Sequence, residues 1–335
     1  ACRAQRADLL ADQGVALELP QPGDDREPWV EVEGHASAVT VDDLFETSQP
    51  VAGSQDAAFV EALKTVVIRV SGRRDAPDRL GPALGNARQY VQRYGVTQEN
   101  VLQVGFDDVS IERLLTDAGL PIWGRERPAT LVVLNLDDFG GGWLSADLPP
   151  ADKERIAAAA QERGLPLEWG MLDAADQNIL TMGEGAAASL VQIARRNGAN
   201  AILVGRGTRS GVLRWILASD EGTTQLTGSY EDAIHSSADY FAKLFAAEGT
   251  SLTRIKLEVS GISDLDAYAS TLNYLEGMTL VRGVAVEQVS GDTMLFQLAV
   301  RGDASTLQRA IALDRRLVPQ TTPASAAGLA FRYQK

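Results

Sequence analysis

The residues PIWGRER, 121–127, bring an aromatic ring and two cations together in one short loop. Trp123 offers an apolar face for stacking, while Arg125 and Arg127 offer planar guanidinium groups that bind carboxylates or phosphates through paired hydrogen bonds. Prolines at both sides stiffen the backbone of this loop. The same residues also suit an interdomain linker, in which the tryptophan packs into a crevice and the arginines pair with Asp or Glu. We favour the linker and keep ligand binding by this loop as the alternative.

Two further arginines lie in the segment GRGTRSG, 205–211. Its G-x-G spacing is part of a dinucleotide-binding fingerprint, which requires G-x-G-x-x-G between a strand and a helix. The next predicted element here is a strand, so the glycines are predicted to form a turn, and we expect no cofactor. Arg206 and Arg209 are then candidates for contact with an acidic partner.

The stretch TVVIRVSGRRDA, 65–76, has two opposed interpretations. A strand followed by a Ser-Gly turn would present backbone N–H groups, Arg73 and Arg74 to a phosphate. The apolar positions, however, recur at helical steps of 3, 1, 3, 1 and 3: Phe59, Ala62, Leu63, Val66, Val67 and Val70. Ser54 suits the start of such a helix and Gly72 the position just past its end. Because a phosphate binds at a helix N-terminus and the two arginines follow a C-terminus, we favour the helix end.

His35 and His235 are the two histidines of the chain. His35 lies in a polar N-terminal segment, and His235 lies on a predicted helix. A Ser-His-acid site needs an aligned nucleophile and an orienting carboxylate, and the sequence contains no G-x-S-x-G motif. We therefore predict that His235 is a helix-surface residue, and we predict no catalytic residue.

Asp137, Asp138 and Asp147 surround a glycine-rich loop after a predicted strand. Carboxylates at the end of a strand can hold Mg²⁺ or Ca²⁺. Their spacing does not fit a calcium-binding EF-hand loop, and no phosphate-binding partner is evident. We favour a solvated loop and predict no metal site.

The composition narrows the classes of protein. The chain has 335 residues and a formal net charge of −14, and no large cluster of Lys and Arg offsets this acidity, which argues against nucleic acid as a partner. No apolar run reaches the roughly 18 residues that a membrane-spanning helix needs. The single cysteine, Cys2, excludes an internal disulfide and a zinc site with several thiolates. Lipidation of Cys2 is disfavoured because no lipobox context is visible.

The elements that must position these residues indicate an α/β (α+β) protein of three small modules. The predicted divisions are a disordered or extended segment at 1–38, a small α+β domain at 39–120, an α/β domain with a mixed sheet flanked by helices at 121–248, a ferredoxin-like βαββα(β) domain at 251–319, and a flexible tail at 320–335. The N-terminal segment is rich in Pro, Gly and acids, which disfavours packing.

Apolar periodicity places the individual elements. Helices are predicted at 54–72, 79–95, 110–120 with Ser110 as its cap, 151–164, 184–198, 230–248, 264–276 and 304–313. Strands are predicted at 99–107, 131–136, 165–172 and 199–211, as an antiparallel pair within 212–230, and at 252–260, 279–289 and 293–301. The continuous apolar run at 131–136 is typical of a strand covered on both faces. The residues RLVP, 316–319, are a candidate for the last strand of the ferredoxin-like unit.

Several stretches together resemble the DUF2066 family of uncharacterised proteobacterial proteins, over about 39–318. They include ALKTVVIRVSGRRDA, ARQYVQRY, GANAILVGRGTRSGVLRWIL and LNYLEGMTLVRGVAVEQVSGDTMLFQLAVRG. The resemblance implies export to the periplasm or cell envelope, although no signal peptide is visible in this chain. It implies no activity and no catalytic residues.

The resulting hypothesis is a non-catalytic envelope protein that binds another protein or a cell-wall component. A first alternative is a small-ligand sensor that uses the 121–127 loop and an interdomain cleft. A less favoured alternative is a hydrolase with an unrecognised site near 137–147 or 231–240. A deep apolar pocket beside Trp123 would favour the sensor, and a shallow exposed patch would favour the binding module. The sequence does not give the partner or the oligomeric state.

Overall fold

The computed structural model describes residues 39–182, 187–209, 211–249, 251–320 and 328–334. Over these residues the chain has the predicted α+β fold, with helices and sheets in a first module (39–120), a middle module (121–248) and a third module (251–334). Cys2, His35 and the predicted extended segment 1–38 lie outside the described residues.

Helix α1 organises the first module. It spans Gln55–Ser71, begins at the N-cap Ser54, whose hydroxyl accepts a hydrogen bond from the backbone of Ala57, and ends at Gly72 in a left-handed conformation. The predicted helix and both of its ends are therefore confirmed. The other elements are β1 (Val39–Thr40), β2 (Glu46–Pro50), α2 (Ala76–Leu80), a 3-10 helix (Gly81–Tyr90), β3 (Val91–Val96), β4 (Val101–Phe106) and α3 (Asp108–Asp117). The apolar stripe of α1 packs on an antiparallel sheet of order β2-β4-β3.

Two predictions for the first module differ from the structure. The segment 79–95, predicted as one helix, forms the end of α2, the 3-10 helix and then β3. Gly81 has a positive φ and Asn86 has non-helical backbone angles, so a single α-helix cannot run through them. Helix α3 is capped by Asp107 and not by Ser110, because the Asp107 carboxylate accepts the backbone N–H of Ser110.

The middle module is a mixed sheet between two layers of helices, as predicted. Its elements are β5 (Glu126–Arg127), β6 (Thr130–Leu136), a short 3-10 helix (Asp137–Phe139), β7 (Trp143–Leu144), α4 (Pro150–Arg163), β8 (Leu167–Glu168), α5 (Ala174–Met182), α6 (Ala187–Arg196), β9 (Ala201–Gly207), β10 (Leu213–Ser219), β11 (Gly222–Gly228) and α7 (Tyr230–Phe245). The order of the strands in the sheet is β11-β10-β9-β6-β7, and β8 also pairs with β6. Strand β6 runs parallel to β9 and β8 and is buried beneath α4 and α7 on one face and α5 and α6 on the other.

One prediction for the middle module is wrong in extent, because the predicted strand 165–172 is only the two-residue β8. The predicted helix 184–198 is present as α6, and the start of its predicted range lies outside the described residues. Helix α5 was not predicted from the sequence. Its start is marked by Asp173, whose carboxylate accepts the backbone N–H of Asp176 (2.7 Å), while the Asp176 carboxylate accepts the N–H of Asp173 (3.3 Å).

The third module follows the predicted β-α-β-β-α order. Its elements are β12 (Leu252–Ser260), α8 (Leu265–Gly277), β13 (Val281–Ser290), β14 (Thr293–Arg301), α9 (Ala304–Leu313), β15 (Leu317–Pro319) and β16 (Leu329–Tyr333). The sheet order is β13-β14-β12-β16-β15. The predicted RLVP strand exists as β15, but β16 lies between it and β12 and runs parallel to β12. A flexible tail was predicted here, whereas Leu329 and Phe331 of β16 are buried in the core.

Each module has its own apolar core, and the middle module has one on each face of its sheet. Whether these modules fold independently within the predicted boundaries stays a prediction. Among the described residues, no helix combines the length and the apolarity needed to cross a membrane.

Candidate functional site

Trp123 is completely buried where the first module meets the middle module. Its backbone N–H donates to the carbonyl of Val70 (2.7 Å) near the end of α1. Gly72 permits this close approach, because a Cβ there would lie 2.4 Å from the Cβ of Ala242 on α7 and 3.2 Å from the indole of Trp123. The aromatic face that suggested ligand stacking is thus enclosed by the protein itself.

The guanidinium group of Arg127 lies over this indole, with its Cζ 3.8 Å from the ring centroid, and Arg127 has no exposed surface. It makes five hydrogen bonds, all to backbone carbonyls: those of Gly124 (2.9 Å, from Nε), Arg163 (2.8 Å) and Gly164 (3.1 Å, both from Nη1), and Arg69 (2.8 Å) and Trp123 (3.0 Å, both from Nη2). Burial, with the nearby charges of Arg69 and Arg163, lowers the pKa of Arg127. The linker interpretation predicted pairing with Asp or Glu, whereas this arginine binds carbonyls.

Two more buried arginines flank Arg127, and we call Arg69, Arg127 and Arg163 the arginine junction. Arg69 donates to the carbonyls of Asp43 (3.1 Å), Leu44 (3.4 Å) and Glu46 (2.7 Å). Arg163 donates to the carbonyls of Gly72 (2.8 Å) and His235 (3.1 Å) and to the carboxylate of Asp239 (2.7 Å). The junction therefore ties α1, the 121–127 loop, α4 and α7 together.

The 121–127 loop also reaches the third module. The Glu126 carboxylate accepts the backbone N–H of Thr279 (2.8 Å), and the Thr279 hydroxyl accepts the N–H of Arg125 (3.1 Å). The Arg125 side chain is about one-third exposed; it lies 3.7 Å from the Asp108 carboxylate and over the ring of Phe45. The loop is thus a meeting point of all three modules.

The side chains of the 121–127 loop mainly contact other residues of the same chain. Trp123 and Arg127 offer no surface to a ligand, and Arg125 already has an acidic neighbour in Asp108. Ligand binding by these three residues stays a prediction. Arg69 and Arg163 were not predicted as site residues, because in a sequence a buried arginine on a helix looks the same as a solvated one.

His235, predicted to lie on a helix surface, is half-buried on α7 beside the arginine junction. Its ring Nδ1 is buried and has no hydrogen-bond partner among the described residues. Burial lowers the pKa of His235, which favours the neutral imidazole. The hydroxyl of nearby Ser237 donates to the carbonyl of Ala233 (2.8 Å), so this geometry does not form a serine–histidine pair.

A cleft of about 550 Å³ opens beside the arginine junction, next to the end of α1. Arg73 forms two hydrogen bonds with the Asp75 carboxylate (2.8 and 2.7 Å), and Arg74 donates to Asp239 (2.8 Å). The hydrogen bond from Arg73 lowers the pKa of Asp75. Both arginines follow a helix C-terminus, as favoured from the sequence, and their anions are the protein's own carboxylates.

Arg209 also contacts acidic residues of its own chain. Its guanidinium donates to the buried carboxylate of Asp152 (2.6 Å), and its backbone N–H donates to Asp138 (3.3 Å). Asp137, Asp138 and Asp147 are exposed, as expected for a solvated loop. In the described part of the chain, no three His, Cys, Asp or Glu side chains are grouped so that they could hold a metal ion.

Arg206 and Arg214 lie side by side on neighbouring strands, β9 and β10. The Arg206 side chain is held in place, since it stacks over Trp143 (4.8 Å to the ring centroid) and donates to the carbonyl of Leu180. Arg214 is exposed and makes no hydrogen bond or ion pair with any residue that the structure describes. Arg206 was predicted as a candidate from its sequence segment, whereas Arg214 was not, because Arg214 becomes its neighbour only through the strand register.

These two arginines line an open groove of about 590 Å³, which we call the arginine groove. Its lining residues are Val204, Arg206, Arg214, Trp215, Ile216, Gln225, Leu226 and Thr227. Like charges on directly opposed positions of a sheet destabilise it, and none of these lining residues is a carboxylate. Over the described residues, the groove therefore offers two arginine side chains without a lining carboxylate, beside an apolar floor, an arrangement that binds carboxylates or phosphates.

A family model described as a domain of unknown function, DUF8605, matches residues 38–124. No curated protein and no solved structure matches the chain. The resemblance to DUF2066 is therefore wrong, because the domain of unknown function that matches is a different one.

Proposed function

We propose that this chain is a non-catalytic binding protein and that the arginine groove holds an acidic segment of a partner protein. The observation that carries the proposal is the exposed guanidinium of Arg214, set beside Arg206 without a carboxylate among the groove's lining residues. The chain has a net charge of −14, whereas the described lining of this groove holds two arginines and no carboxylate. An acidic partner would relieve the repulsion between the two cations.

The arginine junction supports this proposal indirectly. Its hydrogen bonds connect the first and middle modules, and Glu126 with Thr279 adds the third. A scaffold held in this way presents the groove on a fixed sheet, which reduces the entropy lost when a partner binds. The envelope location was implied by the DUF2066 resemblance alone, so it loses its support with that resemblance.

The test is affinity purification of tagged protein from its native cells, with three forms compared. We expect wild type and Arg254→Glu to retain the same partner and Arg214→Glu to lose it. Arg254 is the matched control, since it is also exposed on a strand and makes no hydrogen bond or ion pair within the described ranges. Equal recovery of the partner by Arg214→Glu would contradict the proposal.

The alternative is a small-ligand sensor, and one observation favours it. The cleft beside the arginine junction has a volume of about 550 Å³ and is lined by Pro121 of the 121–127 loop and by Lys243. Its two arginines are already paired with Asp75 and Asp239, so it offers fewer unused groups than the arginine groove. A metabolite that raises the Tm of wild type but not of Lys243→Glu would support the sensor.

A further inference from the structure

Strand β11 forms one edge of the middle sheet. It pairs with β10 in an unbroken register of seven residue pairs, from Leu213 opposite Gly228 to Ser219 opposite Gly222. Its other side has no strand partner among the described residues. The sequence of β11, GTTQLTG, contains no charged residue and no proline.

The other long edge strands of the described sheets carry features that discourage pairing. Such features are charged side chains, prolines and β-bulges. Strand β2 contains Glu46 and Pro50, and strand β3 contains Arg93 and an irregular register. Strand β13 contains Arg282, Glu287 and two irregularities in its register. Among edge strands of five or more residues in these sheets, β11 is therefore the one without such protection.

The two faces of β11 differ in chemistry. Thr227 lies opposite Arg214, which in turn lies opposite Arg206, so these three residues form one row across the groove face. Leu226 borders the groove, but its side chain belongs to the other face, where it packs against the apolar core beneath α7 together with Tyr240. A strand added outside β11 would therefore meet cations on one face and apolar groups on the other.

The distances allow such a contact. Neighbouring strands stand about 4.8 Å apart, so the backbone of an added strand would lie about 10 Å from that of β10. A glutamate side chain and the long side chain of Arg214 together span this gap across Thr227. The next residue of the added strand would point to the Leu226 face, because side chains alternate along a strand.

We infer that the acidic partner binds as an extended strand added to β11, with acidic residues facing Arg214 and apolar residues alternating with them. This inference rests on the proposed function, since it specifies how the arginine groove is occupied. Backbone hydrogen bonds to β11 would supply affinity, and the alternating side chains would supply specificity, as in other cases of strand addition.

The test uses the full chain and short, capped, fluorescent peptides in an anisotropy titration. One peptide alternates Glu with Val, a second carries Lys in place of Glu, and two more are N-methylated at alternate amides to block one edge or the other. We expect the Glu peptide to bind, the Lys peptide not to bind, and methylation of one edge to weaken binding at least about tenfold. Amide hydrogen exchange in β11 should slow when the Glu peptide is added.

The outcomes separate the inference from the proposed function. If both N-methylated peptides bind as tightly as the unmethylated Glu peptide, strand addition is wrong. Binding through Arg214 still stands in that case if Arg214→Glu weakens the binding of the Glu peptide. If free glutamate or inorganic phosphate competes as well as the unlabelled Glu peptide, the groove is a site for small anions, and the inference of strand addition is again wrong. If wild type binds no acidic peptide, both the inference and the proposed function fail.

Discussion

Arg127 and Arg214 carry the same guanidinium group in opposite surroundings. In the arginine junction, Arg127 is enclosed, and backbone carbonyls accept its five hydrogen bonds. In the arginine groove, Arg214 is exposed beside another arginine, and none of the groove's lining residues is a carboxylate. The difference separates a cation that holds the fold together from a cation that is available to a partner.

The largest expected effect is the loss of stability when an arginine side chain of the junction is truncated. Replacing Arg127 with Met removes five hydrogen bonds from buried carbonyls, and each buried group left unpaired costs about 1–3 kcal/mol. Partial relaxation reduces the sum, so we expect a loss of at least about 3 kcal/mol in the free energy of unfolding, measured in urea. Arg125→Met is the control from the same loop and should cost less than about 1 kcal/mol. Equal losses for the two variants would show that Arg127 has no special role.

The glycine that seats Trp123 gives a sharper test of packing. Gly72→Ala places a Cβ 2.4 Å from Ala242 at a φ of 69°, so we expect a loss of about 2–4 kcal/mol from backbone strain and overpacking. Gly119→Ala is matched, because Gly119 has a φ of 66° and open space around its Cβ. It should cost only the backbone term, about 1–2 kcal/mol. Equal losses in thermal or urea unfolding would contradict close packing between α1, Trp123 and α7.

A substitution in the arginine groove should change the affinity for the partner and leave the stability of the fold unchanged. Arg214→Glu reverses a charge that has no internal partner within the described residues, so its free energy of unfolding should stay within about 0.5 kcal/mol of wild type. Its affinity for the acidic Glu–Val peptide should fall at least about tenfold, and the wild-type affinity should fall with added salt. If Arg214→Glu unfolds more easily but binds the peptide normally, Arg214 stabilises the fold, as Arg127 does, and does not bind the partner.

The smallest expected effect is a pH dependence beside the junction. Burial lowers the pKa of His235 in the folded chain, so the unfolded chain takes up a proton more readily. The corresponding stability is present above the unfolded pKa of about 6.5 and is lost as the pH falls below it. We expect His235→Gln to flatten the fall in the unfolding free energy as the pH drops below about 6.5, and this effect should be small because solvent screens the half-buried His235. An unchanged pH profile would exclude this contribution.

Local patterns in the sequence predicted the elements that local chemistry determines. Helix α1 has helical apolar spacing, a serine at its start and a glycine after its end, and it forms as predicted. The continuous apolar run of β6 predicted a strand covered on both faces. Where local and long-range preferences differ, as at β3 and β16, the sheet partners decide, and the sequence does not show them.

The candidate site depended on long-range packing to a greater degree. Arg206 could be singled out from its segment, but its neighbour Arg214 is defined by the pairing of β9 with β10. Trp123 and Arg127 were recognised as unusual, yet their burial follows from α1, α4 and α7 closing around them. Residue type and spacing thus identified arginines as candidate binding residues, and packing determined which arginines are exposed.

The most direct test places a photoreactive amino acid at Thr227, beside Arg214, and irradiates native cells. Thr253, exposed on β12, provides the control position. We expect a specific adduct at Thr227 whose cross-linked peptide is acidic, and we expect Arg214→Glu to abolish it. The same adduct from both positions, or a Thr227 adduct that persists with Arg214→Glu, would contradict binding through the arginine groove.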